Sequence, residues 1–261
     1  MAERRYTFHF LRLLRPLRGN SLSLFVYLTY SAVNVFLVEP AGTTALALSS
    51  RVHKNYISNK NESPRLFKSD FLERFTHVHW IVPILLYVPG SIYFLTRPSH
   101  VTSGTKALLF LGGIVVWTLA EYVLHRFVFH YQPSSAWGQR IHFLAHGIHH
   151  DYPNDATRLV MPPSVSLPLA VLFYFLFSLI LPREFVPVFF AAFLLGYVCY
   201  DTLHYAIHHA PLNSRLGHWL RQHHLRHHYV DDQHGFGVSS PLWDYVFRTN
   251  SVRKKHIARQ S

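Results

Sequence analysis

The sequence predicts an all-α integral-membrane protein with about four transmembrane helices, arranged as two hairpins and capped on one side by a histidine-rich helical region. Two observations lead to this fold class. Hydrophobic residues make up 49% of the 261 residues although the net charge is +12, so apolar stretches alternate with strongly basic ones. Histidine is unusually abundant, with 21 residues. A basic chain can bind nucleic acid or a membrane surface, and long uncharged stretches favour the membrane.

Four stretches are apolar and long enough to be candidate transmembrane helices. A helix rises about 1.5 Å per residue, so each of them approaches the roughly 30 Å hydrocarbon core of a bilayer. Only Pro182, Arg183 and Glu184 separate the third stretch from the fourth, which predicts a tight hairpin. The four stretches are residues 80–95, 107–123, 165–181 and 185–203.

The charges of the loops predict the orientation in the membrane. With both termini in the cytosol, the loops on the far side contain only Arg97, Lys106 and Arg183 of the 25 Lys and Arg residues. This distribution is the one that the positive-inside rule describes. The sequence therefore predicts that both termini and the histidine-rich cap are cytosolic.

Composition divides the chain into a basic and apolar N-terminal region (1–64), a membrane domain (65–250) and a basic tail (251–261). Within the first region, residues 21–38 are apolar but contain many polar side chains, which favours an interfacial helix over a further span. The one cysteine, Cys199, excludes an internal disulfide framework and suits a reducing compartment.

The chemistry-bearing histidines form four groups, in the motifs HRFVFH, HGIHH, HYAIH and HLRHH. Residues three and four apart share a helix face, so each of the last three motifs is expected to point its imidazoles at one locus. His125 and His130 are five residues apart, a spacing expected to splay them toward two neighbouring sites. The predicted ligands are His125, His130, His146, His149, His150, His204, His208, His224, His227 and His228.

Ten neutral imidazoles exceed what a single metal ion accepts, so two ions, each held by several histidines, are predicted. A histidine taken singly is more often an ordinary surface or core residue, but repeated spacing in four groups outweighs that interpretation. The hairpin between the second and third groups returns the chain to its starting side, so all ten can meet. The histidines next to the groups are expected to orient ligands or face solvent; these are His142, His209, His218, His223 and His234.

Asp201, Tyr197 and Glu121 are predicted to support the metal ligands. Asp201 precedes His204 by three residues and Glu121 precedes His125 by four. Each carboxylate is therefore expected to accept the distal N–H of the neighbouring imidazole and fix its tautomer. Tyr197 shares the helix face of Asp201. The alternative is an interfacial salt bridge to one of three arginines, Arg126, Arg221 or Arg226.

Several longer motifs resemble the fatty acid 2-hydroxylases, within the wider fatty acid hydroxylase and sterol desaturase superfamily. They include WTLAEYVLHRFVFH, HFLAHGIHH, RLVMPP, GYVCYDTLHYAIHH and FGVSSPLWDYVF, and the resemblance covers about residues 65–247. The histidine spacings alone indicate the superfamily. Their combination with RLVMPP and the FGVSSPLWDYVF tail indicates the 2-hydroxylases.

The resemblance implies that the ten histidines bind two iron ions, which zinc can replace. It also implies O₂-dependent hydroxylation of a fatty acyl or ceramide substrate at C2, in the endoplasmic reticulum. Many members begin with a cytochrome b5-like domain bearing an HPGG motif, and these 261 residues contain no such motif. A separate cytochrome b5 and its reductase are therefore the expected electron donors, drawn by the basic surface.

Three tyrosines and the RLVMPP segment are the predicted substrate contacts. Tyr131, Tyr152 and Tyr229 are expected near the polar head of the substrate. The RLVMPP segment is expected either to form a wall of the site or to be a loop that stops a helix at Pro162 and Pro163.

Two rival functions remain open at this point. A sterol or carotenoid oxidase shares the histidine groups. A histidine-rich metal transporter would instead place ionisable ligands near the bilayer midplane.

Overall fold

The computed structural model describes residues 57, 58 and 60–250. The predicted interfacial helix at 21–38 and the basic tail at 251–261 lie outside these residues. The division of the chain into three regions therefore stays a prediction.

The described residues form helices and loops, without a strand, which confirms the all-α prediction. Two of the helical segments are π-helices that directly continue α-helices, π1 (His125–Phe129) and π2 (Phe143–Gly147). The α-helices are α1 (Asp70–Arg74), α2 (Val82–Thr96), α3 (Ser103–Leu124), α4 (Ala136–His142), α5 (Ile148–Asp151), α6 (Pro163–Ile180), α7 (Val186–His209), α8 (Arg215–Tyr229) and α9 (Leu242–Val246).

Three helical stretches are long and apolar enough to cross a membrane: α3 continued by π1, α6, and α7. Helix α2 corresponds to the first predicted span but has only 15 residues. At about 1.5 Å per residue it is shorter than the roughly 30 Å hydrocarbon core. The fourth span therefore stays a prediction. Short connections join α2 to α3 and α6 to α7. The arrangement as two transmembrane hairpins stays a prediction.

Helix α7 is the central helix, packed against α2, α3 and α6. Its neighbours carry large apolar side chains on their outer faces, such as Leu108 of α3 and Leu179 of α6, which are 71% and 68% exposed. Apolar surface of this extent marks contact with lipid rather than with water. The helices therefore pack around α7 and turn their outer faces to the bilayer.

Two glycines allow α3 and α7 to approach closely. A Cβ added to Gly113 of α3 would lie 2.8 Å from the Cβ of Ala192, and one added to Gly196 of α7 would lie 2.6 Å from Cγ of Trp117. Membrane helices associate largely through such close packing of small residues. This contact fixes α3 relative to α7. Predicted metal ligands follow in π1, directly after α3, and lie in the last two turns of α7.

The RLVMPP loop connects the histidine-rich region to α6. Arg158 is buried and donates hydrogen bonds to Ser63, to the Pro64 carbonyl and to the Glu73 carboxylate. Pro163 is the first residue of α6. The prolines therefore begin a helix rather than stop one. At the first position of a helix the backbone N–H has no partner within the helix, so proline loses no hydrogen bond there.

Substitution of Gly113 by alanine should lower the free energy of unfolding by about 1–3 kcal/mol, since the added methyl group overpacks the α3–α7 contact. Thermal unfolding of the purified protein in detergent measures the effect. Gly104→Ala is the matched control, because this glycine also lies in α3 but has no atom within 4 Å of an added Cβ. Equal melting temperatures for the two variants would contradict the packing.

Candidate metal centre

The ten predicted histidines converge in the structure, in two groups of five. Within each group, one nitrogen of every imidazole lies within 4.8 Å of the corresponding nitrogens of the others. Site A comprises His125, His130, His146, His150 and His227, and site B comprises His149, His204, His208, His224 and His228.

A π-helix explains why His125 and His130 belong to one site. The His130 N–H donates to the His125 carbonyl at 3.0 Å, which is the five-residue hydrogen bond of a π-helix. Residues five apart then share a face. The expectation that this spacing would splay the two histidines toward different sites was wrong, because it assumed α-helical geometry.

The HxxHH motifs supply both sites rather than one locus. Residues four apart differ by about 40° around an α-helix, whereas adjacent residues differ by about 100°. Adjacent His149 and His150 therefore belong to different sites, as do His227 and His228. The pairs four apart stay together: His146 with His150, His204 with His208, and His224 with His228.

Ring nitrogens face one another at short distances in both sites. In site A, the Nε2 atom of His146 lies 3.1 Å from that of His125 and 2.9 Å from that of His150. In site B, the Nε2 atom of His224 lies 3.1 Å and 3.0 Å from those of two neighbouring histidines, His208 and His228. Two nitrogens bound at right angles to one ion, each about 2.1 Å away, are about 3.0 Å apart. The spacing is thus that of ligands on a shared ion.

Burial keeps these imidazoles neutral. It lowers the pKa of His146, His149 and His150 well below the ordinary histidine value, and neighbouring histidines lower it further. The same two causes, in the same order, lower the pKa of His224 and His228. A neutral ring has one N–H and one lone pair, so two facing Nε2 atoms either share a proton or bind a cation together. Imidazole donors suit iron, zinc and copper, so the residues fit a pair of such ions.

The carboxylate of Asp201 does not hold His204. It accepts a hydrogen bond from the Tyr197 hydroxyl at 2.8 Å and a long one from the Met161 N–H at 3.3 Å. Both ring nitrogens of His204 are buried without a partner among the described residues. The expected contact was therefore wrong, because residues three apart on a helix differ by about 60° and Asp201 is directed to the start of α6.

Glu121 also has a different role from the one expected. Its carboxylate accepts hydrogen bonds from the N–H groups of Val238 and Ser239, at 2.6 and 2.8 Å. The Nδ1–H of His125 donates instead to the Phe236 carbonyl at 2.5 Å. Glu121 thus holds the loop that contacts His125, not His125 itself.

The alternative salt bridges are absent from the described part of the chain, where neither Glu121 nor Asp201 forms an ion pair. Arg126 donates to the Tyr122 hydroxyl at 2.7 Å, and Arg221 donates to the Ile207 carbonyl at 2.7 Å. Both carboxylates are satisfied by neutral donors.

The structure adds Asp244, which the sequence did not single out. Its carboxylate is fully buried and accepts from the N–H groups of Phe236 and Gly237, at 2.9 and 2.8 Å. The residue lies in the FGVSSPLWDYVF tail, but no helical spacing connects it to a histidine. Only the tertiary structure reveals its position.

The neighbouring histidines lie outside both sites, as expected. His142, the one nearest to the repeated pattern, belongs to neither site. His234 contacts Asp231 at 2.8 Å, and the Nε2 atom of His223 lies 3.4 Å from Asp244.

The three tyrosines expected at the substrate head differ in their surroundings. Tyr131 and Tyr229 are exposed. Tyr152 is buried in a cluster with Leu66 and Phe67.

An apolar cavity of about 30 Å³ lies between α3, α6 and α7. Trp117, Phe173 and Phe193 line it, together with Tyr197 and Met161. Met161 comes from the RLVMPP segment and forms part of the wall of this cavity. That the segment lines the substrate site stays a prediction. Two of these three helices, α3 with its continuation π1 and α7, lead to site histidines at one end.

The sequence matches the model of one protein family and is similar to several known proteins. The fatty acid hydroxylase model matches residues 110–249. A dihydroceramide fatty acyl 2-hydroxylase of Arabidopsis thaliana is 40% identical over 196 residues, which are 74% of this chain and 82% of that protein. The human fatty acid 2-hydroxylase is 37% identical over 219 residues, which cover 75% of this chain and 59% of the human protein.

A solved structure is similar as well. It is described as full-length scs7p with only the hydroxylase domain visible. Its TM-score is 0.66 at 40% sequence identity, and the match covers 70% of each chain.

Acidification should destabilise the metal-free protein. Burial holds the pKa of the described site histidines outside the membrane spans below about 6.5, the value in the unfolded chain, so the unfolded state binds more protons in that window. Stability is therefore full above about pH 6.5 and is lost as the pH falls below it. The melting temperature, measured between about pH 8 and pH 5.5, should drop on the acidic side. A melting temperature independent of pH across this range would contradict the burial of neutral imidazoles.

Proposed function

The chain belongs to the fatty acid hydroxylase family, and on this premise we propose that it is an O₂-dependent fatty acyl 2-hydroxylase with a di-iron centre, acting on sphingolipids. The observation that carries the proposal is the pair of all-histidine sites at the ends of membrane-spanning helices. The relatives named as dihydroceramide and fatty acid 2-hydroxylases support the reaction type.

Each site would hold one iron ion through its five histidines. An alkyl C–H bond offers no acidity or leaving group to side chains, so a redox metal with O₂ supplies the oxidising chemistry. Zinc also accepts imidazole ligands and would fill the sites without this activity.

The protein's own contribution is to keep the site dry and the ligands fixed. Burial removes competing water from the histidines, and His125 and His227 donate their Nδ1–H groups to backbone carbonyls, at 2.5 and 2.8 Å. Carbonyl oxygens only accept, so both rings must present the Nε2 lone pair to site A. This orientation prepares the nitrogens for a cation before it binds.

We propose that the acyl tail occupies the cavity between α3, α6 and α7. Its aromatic and aliphatic lining suits a hydrocarbon chain, and the cavity lies within the membrane part of the fold. The cavity is narrow, so the tail would widen it on binding. Held there, the chain could direct its C2 end toward the histidines, which is the positioning that oxygen insertion needs.

We also propose a cellular location and an electron donor for the protein. Membrane-spanning helices and the charge bias of the loops support a multi-pass protein with its sites on the cytosolic side. The endoplasmic reticulum is proposed because the resemblance to fatty acid 2-hydroxylases implies it. Arg215, Arg226 and Arg248 are exposed around α8 and α9. They offer a basic surface to an acidic electron donor, proposed to be cytochrome b5 reduced by its reductase.

Replacement of His149 or His227 with alanine should abolish 2-hydroxylated sphingolipids in a host that makes none of its own, because each change removes one ligand, from site B and site A respectively. Mass spectrometry of the lipids measures the product. His218→Ala is the matched control, since this histidine of α8 is exposed and belongs to neither site. Full product from either ligand variant would refute the assignment, and oxidised sterols without 2-hydroxylated lipids would favour the rival oxidase.

A further inference from the structure

The loop at residues 234–239 supplies both of the carbonyl groups that orient site A. The Nδ1–H of His125 donates to the Phe236 carbonyl at 2.5 Å, and that of His227 donates to the His234 carbonyl at 2.8 Å. Gly235 between them has φ +76°, a left-handed conformation that glycine adopts without strain. The loop backbone therefore determines how two ligands of one site are held.

Two buried carboxylates hold this loop by its consecutive N–H groups. Asp244 accepts from Phe236 and Gly237, and Glu121 accepts from Val238 and Ser239. Both side chains are nearly inaccessible to solvent, with Glu121 3% and Asp244 0% exposed. Four successive backbone donors are thus satisfied by two buried carboxyl groups, which fixes the path of the loop.

One peptide group connects Asp244 to His125. The N–H of Gly237 and the carbonyl of Phe236 belong to the same peptide unit, and the carboxylate binds the first while His125 binds the second. Hydrogen bonds in series polarise one another, so the carboxylate charge makes that carbonyl a stronger acceptor. A stronger acceptor at Nδ1 makes the Nε2 atom of the ligand more basic.

Site B has no such support in the described part of the chain. The Nδ1 atoms of His224 and His228 are buried without a hydrogen-bond partner. The same holds for both ring nitrogens of His149 and of His204. Each site has five histidines, but the two sites differ in the hydrogen bonds that the Nδ1 atoms of these histidines form.

We propose that Asp244 and Glu121 are positioning residues for site A, acting through the loop at residues 234–239, and that site A consequently binds its ion more tightly than site B. The inference rests on the proposed function, in which each site holds a metal ion. Loss of a group that orients a ligand typically weakens metal binding about 10- to 100-fold, which sets the expected difference.

The two carboxylates respond differently to amide substitution. Both oxygens of Asp244 accept a backbone N–H, so Asp244→Asn must place an NH₂ group against one donor. Only Oε1 of Glu121 accepts backbone N–H groups, while Oε2 faces the Ser239 hydroxyl, which can also accept. Glu121→Gln therefore keeps the loop in place, and Glu121→Ala releases it.

The test measures Zn²⁺ affinity by chelator competition on the purified full chain, with each site isolated in turn. His204→Ala with His208→Ala leaves site A, and His130→Ala with His146→Ala leaves site B. We expect tighter binding at the isolated site A. Asp244→Asn or Glu121→Ala should lower the Zn²⁺ affinity of isolated site A about 10- to 100-fold and change that of isolated site B by less than about threefold. Glu121→Gln should restore the affinity that Glu121→Ala loses at site A.

Asp201→Asn is the matched control, because this carboxylate is equally buried but contacts Tyr197 and Met161 instead of the loop. Asp201→Asn should leave the Zn²⁺ affinity of isolated site A unchanged. Equal weakening of both sites by Asp244→Asn and Glu121→Ala, or unchanged affinity at site A, would overturn the proposal. If Asp244→Asn does not fold, Glu121→Ala and its glutamine rescue decide alone. Failure of the unmodified chain to bind two ions would instead refute the proposed function.

Discussion

The structure depends on the burial of ten neutral imidazoles whose ring nitrogens face one another. A neutral imidazole has one N–H and one lone pair, so five rings that meet at one point leave several acceptor nitrogens for a cation in surroundings that exclude water. In each site, facing nitrogens come as close as 2.9 to 3.1 Å. A metal ion in each site would bind these nitrogens together and so join π1, π2, α5, α7 and α8.

The position of the sites suits chemistry on a lipid. His125 follows the end of α3, and His204 and His208 lie in the last two turns of α7. The sites thus lie at the ends of the spans, not at their middle, which disfavours a transporter, whose ligands would be expected near the midplane. In the proposed reaction, an acyl chain held among the spans would approach the sites from the bilayer.

Much of this arrangement could be predicted from the sequence. Repeated spacing identified all ten histidines of the two sites, and the short connection at 182–184 identified the α6–α7 hairpin. Both signals are local and depend on regular helix geometry. The assignment of each histidine to its site could not be predicted, because π1 changes the spacing that brings His125 and His130 together.

The contacts around the metal ligands also could not be predicted from the sequence. Glu121 and Asp201 were singled out by their helix spacing to histidines, but this spacing does not tell which way a carboxylate turns when other N–H and O–H groups compete for it. Asp244 and the carbonyl of Phe236 are brought to site A by a loop whose path depends on Gly235 and on both carboxylates. Contacts of this kind exist only in the folded chain.

X-ray absorption spectroscopy of the purified full chain, at the edge of the metal it carries, tests the central claim most directly when combined with the metal content. The account predicts two ions per chain, each with a first shell dominated by imidazole nitrogens at about 2.0–2.2 Å. A single ion per chain, or a first shell of sulfur or of carboxylate oxygen alone, would contradict it.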